Sequence, residues 1–396
     1  MSNMELITFP AVQTRLNVEE EQALLRVVRE GSVLAIGPEA EQFEKEWTEY
    51  IGCGDTVAVC NCSSALELAA ILSDIGPGDE VILPAHTFVA TAVPFARTGA
   101  TLCWADIDPD SRVLSAESIA TQITDKTKAI VVVHLYGLPA DMDAIMSLAT
   151  KHNLLVIEDC AQAPGARYHG KRVGSIGDFG CFSFHAQKNI TTLGEGGMFT
   201  VRNPEHGVQG RRLRWMGNWP FEEKRQHYWL PAMANVVEPI PGQLPHNFCM
   251  GEPNAAVGRL LMKRLDAINE RRRCQAGRLR NALSDYPEFS LQHTPDGCEH
   301  AYHLMTARYD GNPYGKNRDD LIQLLLDKYQ LKCIIQYWPL CRTELFKKLG
   351  FAKADIPHTD RFFDNMISIP WWSDMPDELI DDIARRLAGA LDDMRG

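Results

Sequence analysis

From about residue 55 to 205 the chain alternates between short apolar runs and longer segments whose apolar positions recur at helical spacing. Thr56 to Cys60 leads into Ser63 to Leu72, Glu80 to Pro84 into Thr87 to Arg97, and Ala129 to Leu135 into Asp141 to His152, with Leu154 to Ile157 following. Apolar runs without polar alternation, separated by amphipathic segments, mark strands covered on both faces and joined by crossover helices. The first half therefore predicts an α/β fold, a large doubly wound and mostly parallel sheet. Gly180 to Phe184 and Gly197 to Val201 read as two more strands, a hairpin-like excursion at the edge of that sheet.

Residues 214 to 246 break the pattern. Trp215, Trp219, Trp229 and several prolines occur without periodicity, which predicts an irregular aromatic-rich loop, either functional or a plain packing excursion. Beyond it, Val257, Leu260, Leu261, Leu265 and Ile268 fall at helical spacing within Pro253 to Leu283, a long helix leading into a second domain. That domain shows a strand at His303 to Tyr309, a helix at Arg318 to Tyr329, a strand at Cys333 to Tyr337 and a closing helix at Asp377 to Leu391. The expected division is a cofactor-binding α/β domain with an N-terminal arm over 1–250 and a smaller C-terminal α+β domain over 251–396.

Length agrees with two units, since 396 residues exceed what one hydrophobic core usually serves. A formal net charge of −12 argues against nucleic-acid and anionic-membrane partners, which require clustered positive charge. No run of roughly 18 apolar residues and no signal-like N-terminus is present, so a cytoplasmic, membrane-free protein is expected. The eleven cysteines include no Cys-x-x-Cys pair, which predicts reduced, mostly buried thiols and no metal site.

Candidate chemistry gathers around Lys188, which follows Phe182-Ser183-Phe184-His185 and precedes the turn Gly194-Glu195-Gly196-Gly197. A lysine set between apolar strands can condense with an aldehyde, hold it as an imine, and act as a base once a substrate amine displaces it. Asp159 ends the run Leu154 to Asp159, at the strand terminus where open α/β sheets bind ligands, and a carboxylate there can keep a pyridine nitrogen protonated. Glu158 should point the other way. An amine and an acid in this order predict pyridoxal 5'-phosphate.

Other residues fit that cofactor. Ser63 and Ser64, in Asn61-Cys62-Ser63-Ser64-Ala65-Leu66 between a strand and a helix, are candidate phosphate contacts; simple helix capping is the plainer alternative. Ser183 adds a third hydroxyl. Phe88, just past a strand, could stack on the ring and Gln162 could cover its other face, although each would also suit ordinary packing. His185 receives no catalytic role.

At this point the chain resembles the sugar-nucleotide aminotransferases of the DegT/StrS group, fold type I pyridoxal-phosphate enzymes. The likeness runs from Gly37 and Phe43-Glu44 through Gly76-Pro77-Gly78-Asp79-Glu80-Val81, Val133-His134-Leu135-Tyr136-Gly137, Glu158-Asp159-Cys160-Ala161-Gln162-Ala163 and Lys188-Asn189 to Arg259–Arg273 and Tyr302-His303-Leu304. The resemblance implies a homodimer with shared active sites, in which an asparagine from the partner touches the cofactor phosphate; the matching position is Asn247. It also implies ping-pong transfer from an amino-acid donor, usually glutamate, to a keto-sugar acceptor carried on a nucleotide. Members with histidine in place of the lysine are dehydratases, so Lys188 favours transamination.

Two departures concern substrate. The family's Asn-Tyr-Arg-Met stretch reads Asn247-Phe248-Cys249-Met250, without its arginine, as in some cyclitol (inosose) aminotransferases. The usual His-Tyr-x-Pro-Leu-His reads Gln336-Tyr337-Trp338-Pro339-Leu340-Cys341, which removes two imidazoles from the expected acceptor wall. A cyclitol aminotransferase of aminoglycoside-like biosynthesis is thus the alternative within the chemistry, and a non-catalytic protein of the same fold the alternative outside it. A nicotinamide dehydrogenase is disfavoured because no Gly-x-Gly-x-x-Gly follows the first strand.

Overall fold

Seven strands form one sheet: β1 (Asp55–Val59), β2 (Glu80–Pro84), β3 (Thr101–Ala105), β4 (Thr127–Val133), β5 (Leu155–Asp159), β6 (Phe179–Ser183) and β7 (Gly197–Val201). Their spatial order is β1-β7-β6-β5-β4-β2-β3. The computed structural model describes residues 4–31, 33–218, 229 and 234–396. Trp219 of the aromatic-rich stretch therefore lies outside the described residues, while Trp215 and Trp229 are both exposed.

The doubly wound expectation holds because the strand runs are buried on both faces. Val81, Ile82, Leu83, Ile130, Val131, Val132, Val156 and Ile157 are all fully buried, and each such side chain stabilises the fold by about 1.5–3 kcal/mol relative to exposure. Strands β3, β2, β4, β5 and β6 pair in parallel, whereas β7 is antiparallel to both β6 and β1. This is the fold type I arrangement.

Three expectations need correction. The β6–β7 hairpin is not at the sheet's edge, because β1 adds on beyond β7 and pairs Val59 with Gly197. Gly197 permits that approach: a Cβ there would sit 2.5 Å from the Asn61 carbonyl carbon. Cys333 to Tyr337 forms no continuous strand; only Ile334 bridges to Ser368. Further on, Gln336 N–H donates to Met366 Sδ at 3.2 Å and Gln336 O accepts from Tyr136 OH at 2.7 Å. The cysteines are all free, but five are buried, five half-buried and Cys274 exposed.

The C-terminal part builds a three-stranded antiparallel sheet from Phe289–Leu291, Met305–Tyr309 and Met366–Ile369. The closing helix Asp377–Arg395 covers it with Ile380, Ile383, Leu387, Leu391 and Met394. The long helix Glu252–Ala282 spans both parts, burying Val257, Leu261 and Leu265 in one cluster and Ala276 and Leu279 in another.

The N-terminal arm ties the two parts together. Ile7 N–H donates to Gln330 O and Lys332 N–H to Ile7 O, both at 2.9 Å. Gln13 N–H then donates to Ala186 O, and Thr14 Oγ1 donates to Asn189 O at 2.6 Å, on either side of Lys188. Among the described residues no helix is long and apolar enough to cross a membrane.

Candidate active site

Strands β1, β5 and β6 point the same way, since β1 and β6 are each antiparallel to β7. Their carboxyl ends therefore meet at one edge of the sheet, where a cavity of about 410 Å³ opens. Asn61, Cys62 and Ser63 enter it after β1, Asp159, Ala161 and Gln162 after β5, and Ser183, His185 and Lys188 after β6.

Asp159 ends β5 opposite Val133 and is 5% exposed. Its Oδ2 accepts from Thr91 Oγ1 at 2.7 Å and its Oδ1 from Ala161 N–H at 3.1 Å. Burial pushes this carboxyl above its ordinary range, while the Thr91 and Ala161 hydrogen bonds and then the Lys188 charge pull it back. Glu158 does turn to the other side, where its oxygens accept from the N–H groups of Gly174, Ile176 and Gly177 and lie 2.9 Å from His134 Nε2. Together with Cys160 these residues form a buried His, Glu and Cys group. Its acid and imidazole are already engaged, His134 Nδ1 accepting from Ala140 N–H.

Lys188 is carried by an extension of the β6–β7 ladder: Phe184 N–H donates to Gly196 O, Thr192 N–H to Phe184 O, and Ala186 N–H to Gly194 O. Its Nζ makes no hydrogen bond to the described residues. Burial lowers the pKa of this amine, against the attraction of Asp159, so its neutral, nucleophilic form is easier to reach than that of a solvated lysine.

The helix Cys62–Leu72 is capped by Asn61, whose side chain accepts from Ser64 N–H at 2.9 Å. The first-turn N–H groups of Cys62 and Ser63 have no partner within the helix, and both residues line the cavity. Ser63 lines the cavity. Ser64 departs from the expectation: its Oγ donates to Asn61 Oδ1 at 3.0 Å, lies 3.1 Å from Cys60 Sγ, and is not part of the lining. Ser183 lines the cavity with its Oγ accepting from His185 N–H.

Phe88 stands at the mouth, 55% exposed, with its ring 6.1 Å from that of Tyr337. Gln162 is held from behind, its Oε1 accepting from Tyr136 N–H at 2.8 Å. Asn247 is exposed and does not line the cavity of its own chain.

Sequence reasoning missed several neighbours. Thr91 follows Thr87 at helical spacing, and their hydroxyls lie 2.8 Å apart, so a pair of threonines after the β2 turn was the available signal. Tyr136 was visible only as part of Val133-His134-Leu135-Tyr136-Gly137; its hydroxyl meets His86 Nε2 at 2.6 Å. Gln13 comes from a distant segment and carried no local signal, and His303 was visible only as part of Tyr302-His303-Leu304.

Comparison with known proteins places the site in context. The profile of the DegT/DnrJ/EryC1/StrS aminotransferase family matches residues 14–388. The spore coat polysaccharide biosynthesis protein SpsC of Bacillus subtilis (strain 168) is 34% identical over 379 residues, covering 92% of each chain. Among solved structures, the putative sugar aminotransferase Spr1654 from Streptococcus pneumoniae in its PMP form is similar with a TM-score of 0.88 at 26% identity, covering 98% of this chain and 100% of that one. DesV of S. venezuelae, in complex with a ketimine intermediate, is similar with a TM-score of 0.79 at 32% identity, covering 93% and 94%.

Proposed function

We propose that this chain, which belongs to the DegT/DnrJ/EryC1/StrS aminotransferase family, moves an amino group from an amino acid, glutamate in the first instance, to a keto-sugar, with Lys188 and Asp159 as its catalytic pair. That it is an aminotransferase follows from the family; the residue roles and substrates are our reading. The observation that carries it is the pairing of a half-buried amine at Lys188, without a hydrogen bond to the described residues, with a buried carboxyl at Asp159 in one cavity.

The residues fit pyridoxal 5'-phosphate, the cofactor of this family. The fit rests on an amine free of hydrogen bonds, an acid with remaining acceptor capacity, and unpaired helix N–H groups beside the hydroxyls of Ser63 and Ser183. When bound, the cofactor supplies an aldehyde that stores the amino group between half-reactions and a ring that delocalises the electrons left by proton removal. Lys188 would hold that aldehyde and afterwards carry the proton at the substrate's reacting carbon. Asp159, oriented by Thr91 and the Ala161 N–H, would hold a proton on the ring nitrogen. Phe88 and Gln162 would flank the ring, and Ser63, Ser183 and the helix N–H groups would receive the phosphate. Asn247 would reach the phosphate end of a second copy's cavity, making the working unit a homodimer with shared sites.

For the acceptor, a nucleotide-linked keto-deoxysugar is the leading assignment, in keeping with relatives named for sugar and polysaccharide chemistry. The cyclitol alternative is favoured by Cys249 at the family's arginine position and by Gln336 and Cys341 at its imidazole positions. Incubating the enzyme and cofactor with glutamate or glutamine and either a nucleotide-linked 4-keto-6-deoxyhexose or an inosose, and following the amine by mass spectrometry, tests both. Formation of the amino-sugar nucleotide is expected; turnover of the inosose alone selects the alternative, and turnover of neither removes both acceptor assignments.

A further inference from the structure

Arg272, on the long helix, is fully buried, yet among the described residues no carboxylate hydrogen-bonds to it. Its Nε donates to Tyr302 O, its Nη1 to Ser373 Oγ, and its Nη2 to His303 O and to Gln13 Oε1 at 3.2 Å. Four neutral acceptors surround a full positive charge. The cost appears in the guanidinium itself, which burial presses down to about 9, with Asp374 the acid that opposes this. It remains a cation at neutral pH.

Gln13 stands between that charge and the cavity. It is 5% exposed and belongs to the lining. Because a guanidinium can only donate, the amide oxygen must be the atom facing Arg272, which fixes the flip of the side chain and leaves Nε2 as the other end. Nε2 has no hydrogen-bond partner among the described residues. The backbone holds the residue beside the lysine: Gln13 N–H donates to Ala186 O, Ser373 N–H to Gln13 O, and the next residue's hydroxyl to Asn189 O. A substrate amine that takes the place of the Lys188 amine carries its α-carboxylate two bonds away, and Gln13 lines the same cavity as that amine.

The described lining contains no arginine, and its other cation, Lys188, is occupied in the chemistry. We infer that Gln13 is the substrate-positioning residue for the amino donor's α-carboxylate, its Nε2–H₂ aimed and polarised by the buried guanidinium of Arg272. An anion at Nε2 would at last compensate the Arg272 charge through one intervening amide. The inference rests on the aminotransferase reading of this site and deepens it by naming how the donor is recognised.

The test uses the holoenzyme and two near-isosteric variants, Gln13→Met and Gln13→Glu. The absorbance change on conversion of the cofactor by L-glutamate and by L-glutamine gives the donor concentration for half-maximal rate. Calorimetric titration with glutarate, which has carboxylates and no amine, gives anion binding apart from chemistry. Loss of one hydrogen bond to a charged group should raise the half-saturating concentration on the order of tenfold to a hundredfold in Gln13→Met, with the rate at saturating donor far less affected, and weaken glutarate to match. Gln13→Glu should lose more, although a carboxylate would pair with Arg272 and keep the packing. A merely structural glutamine would show the opposite order. If Gln13→Glu, folded by its urea midpoint, uses both donors at wild-type concentrations, the assignment is wrong. If no amino acid converts the wild-type cofactor, the function reading fails first and takes this inference with it.

Discussion

Thr91 Oγ1 donates a 2.7 Å hydrogen bond to Asp159 Oδ2, across 68 residues of sequence. The acid proposed to face the cofactor's ring nitrogen is thus held by a hydroxyl from the turn after β2, and its ionised form depends on that bond because burial opposes it. Thr91→Val keeps the shape and removes the donor. Its carboxyl should titrate higher, and amine transfer should fall about tenfold, the effect of one hydrogen bond to a charged group. A pH–rate profile checks this: the acid limb should move to higher pH, and an unmoved limb with full rate would detach Thr91 from the site.

Lys188→Ala should abolish amine transfer while pyridoxamine phosphate still binds, because Asp159 and the phosphate donors are untouched. Borohydride reduction of the wild-type holoenzyme followed by peptide mapping should place the label at position 188. A label elsewhere refutes the central assignment.

The depressed pKa of Lys188 also has a signature in stability. In the cofactor-free chain, between the lowered native value and the ordinary lysine value of 10.5, the native amine has lost its proton while the unfolded one keeps it. The unfolded state then binds more protons, so this group's contribution to stability rises with pH through that window and its penalty is fully present below it. Urea midpoints measured against pH should rise less steeply there in Lys188→Met than in the wild type.

Glu158→Gln addresses the opposite face of β5. Its carboxylate takes three backbone N–H groups and His134, and an amide NH₂ would face one of these donors. A loss of about 2–4 kcal/mol is expected, read as a lower urea midpoint, with the cofactor's spectrum retained once folded.

Gly137→Ala should be severe. Gly137 has φ +104, and a Cβ would lie 2.9 Å from the backbone nitrogens of Tyr302 and His303 and 3.0 Å from Gln162 O. Left-handed strain and backbone overlap together should cost about 3 kcal/mol or more. Little soluble protein at 37 °C, compared with wild type by gel, is the expected result.

The parallel sheet was legible because Val81 to Leu83, Ala129 to Val133 and Leu155 to Ile157 carry their environment in their apolar character. The place of β1 was not, since pairing partners are set by topology that no single strand encodes. Asp159 and Lys188 could be picked out because strand ends and glycine turns are local signals. Thr91 and Gln13 were hidden for the converse reason, Thr91 meeting Asp159 and Gln13 entering the cavity from remote segments. Ser64 shows the limit of residue type alone: a hydroxyl beside a helix start suited a phosphate, but Asn61, three residues earlier, accepts it first.

The arm that runs from Ile7 to Thr14 is stitched to residues on both sides of the reactive lysine and to the far lobe. Trimming a clone back to the first helix at Val18 would thus remove part of the catalytic scaffold along with an apparently dispensable tail.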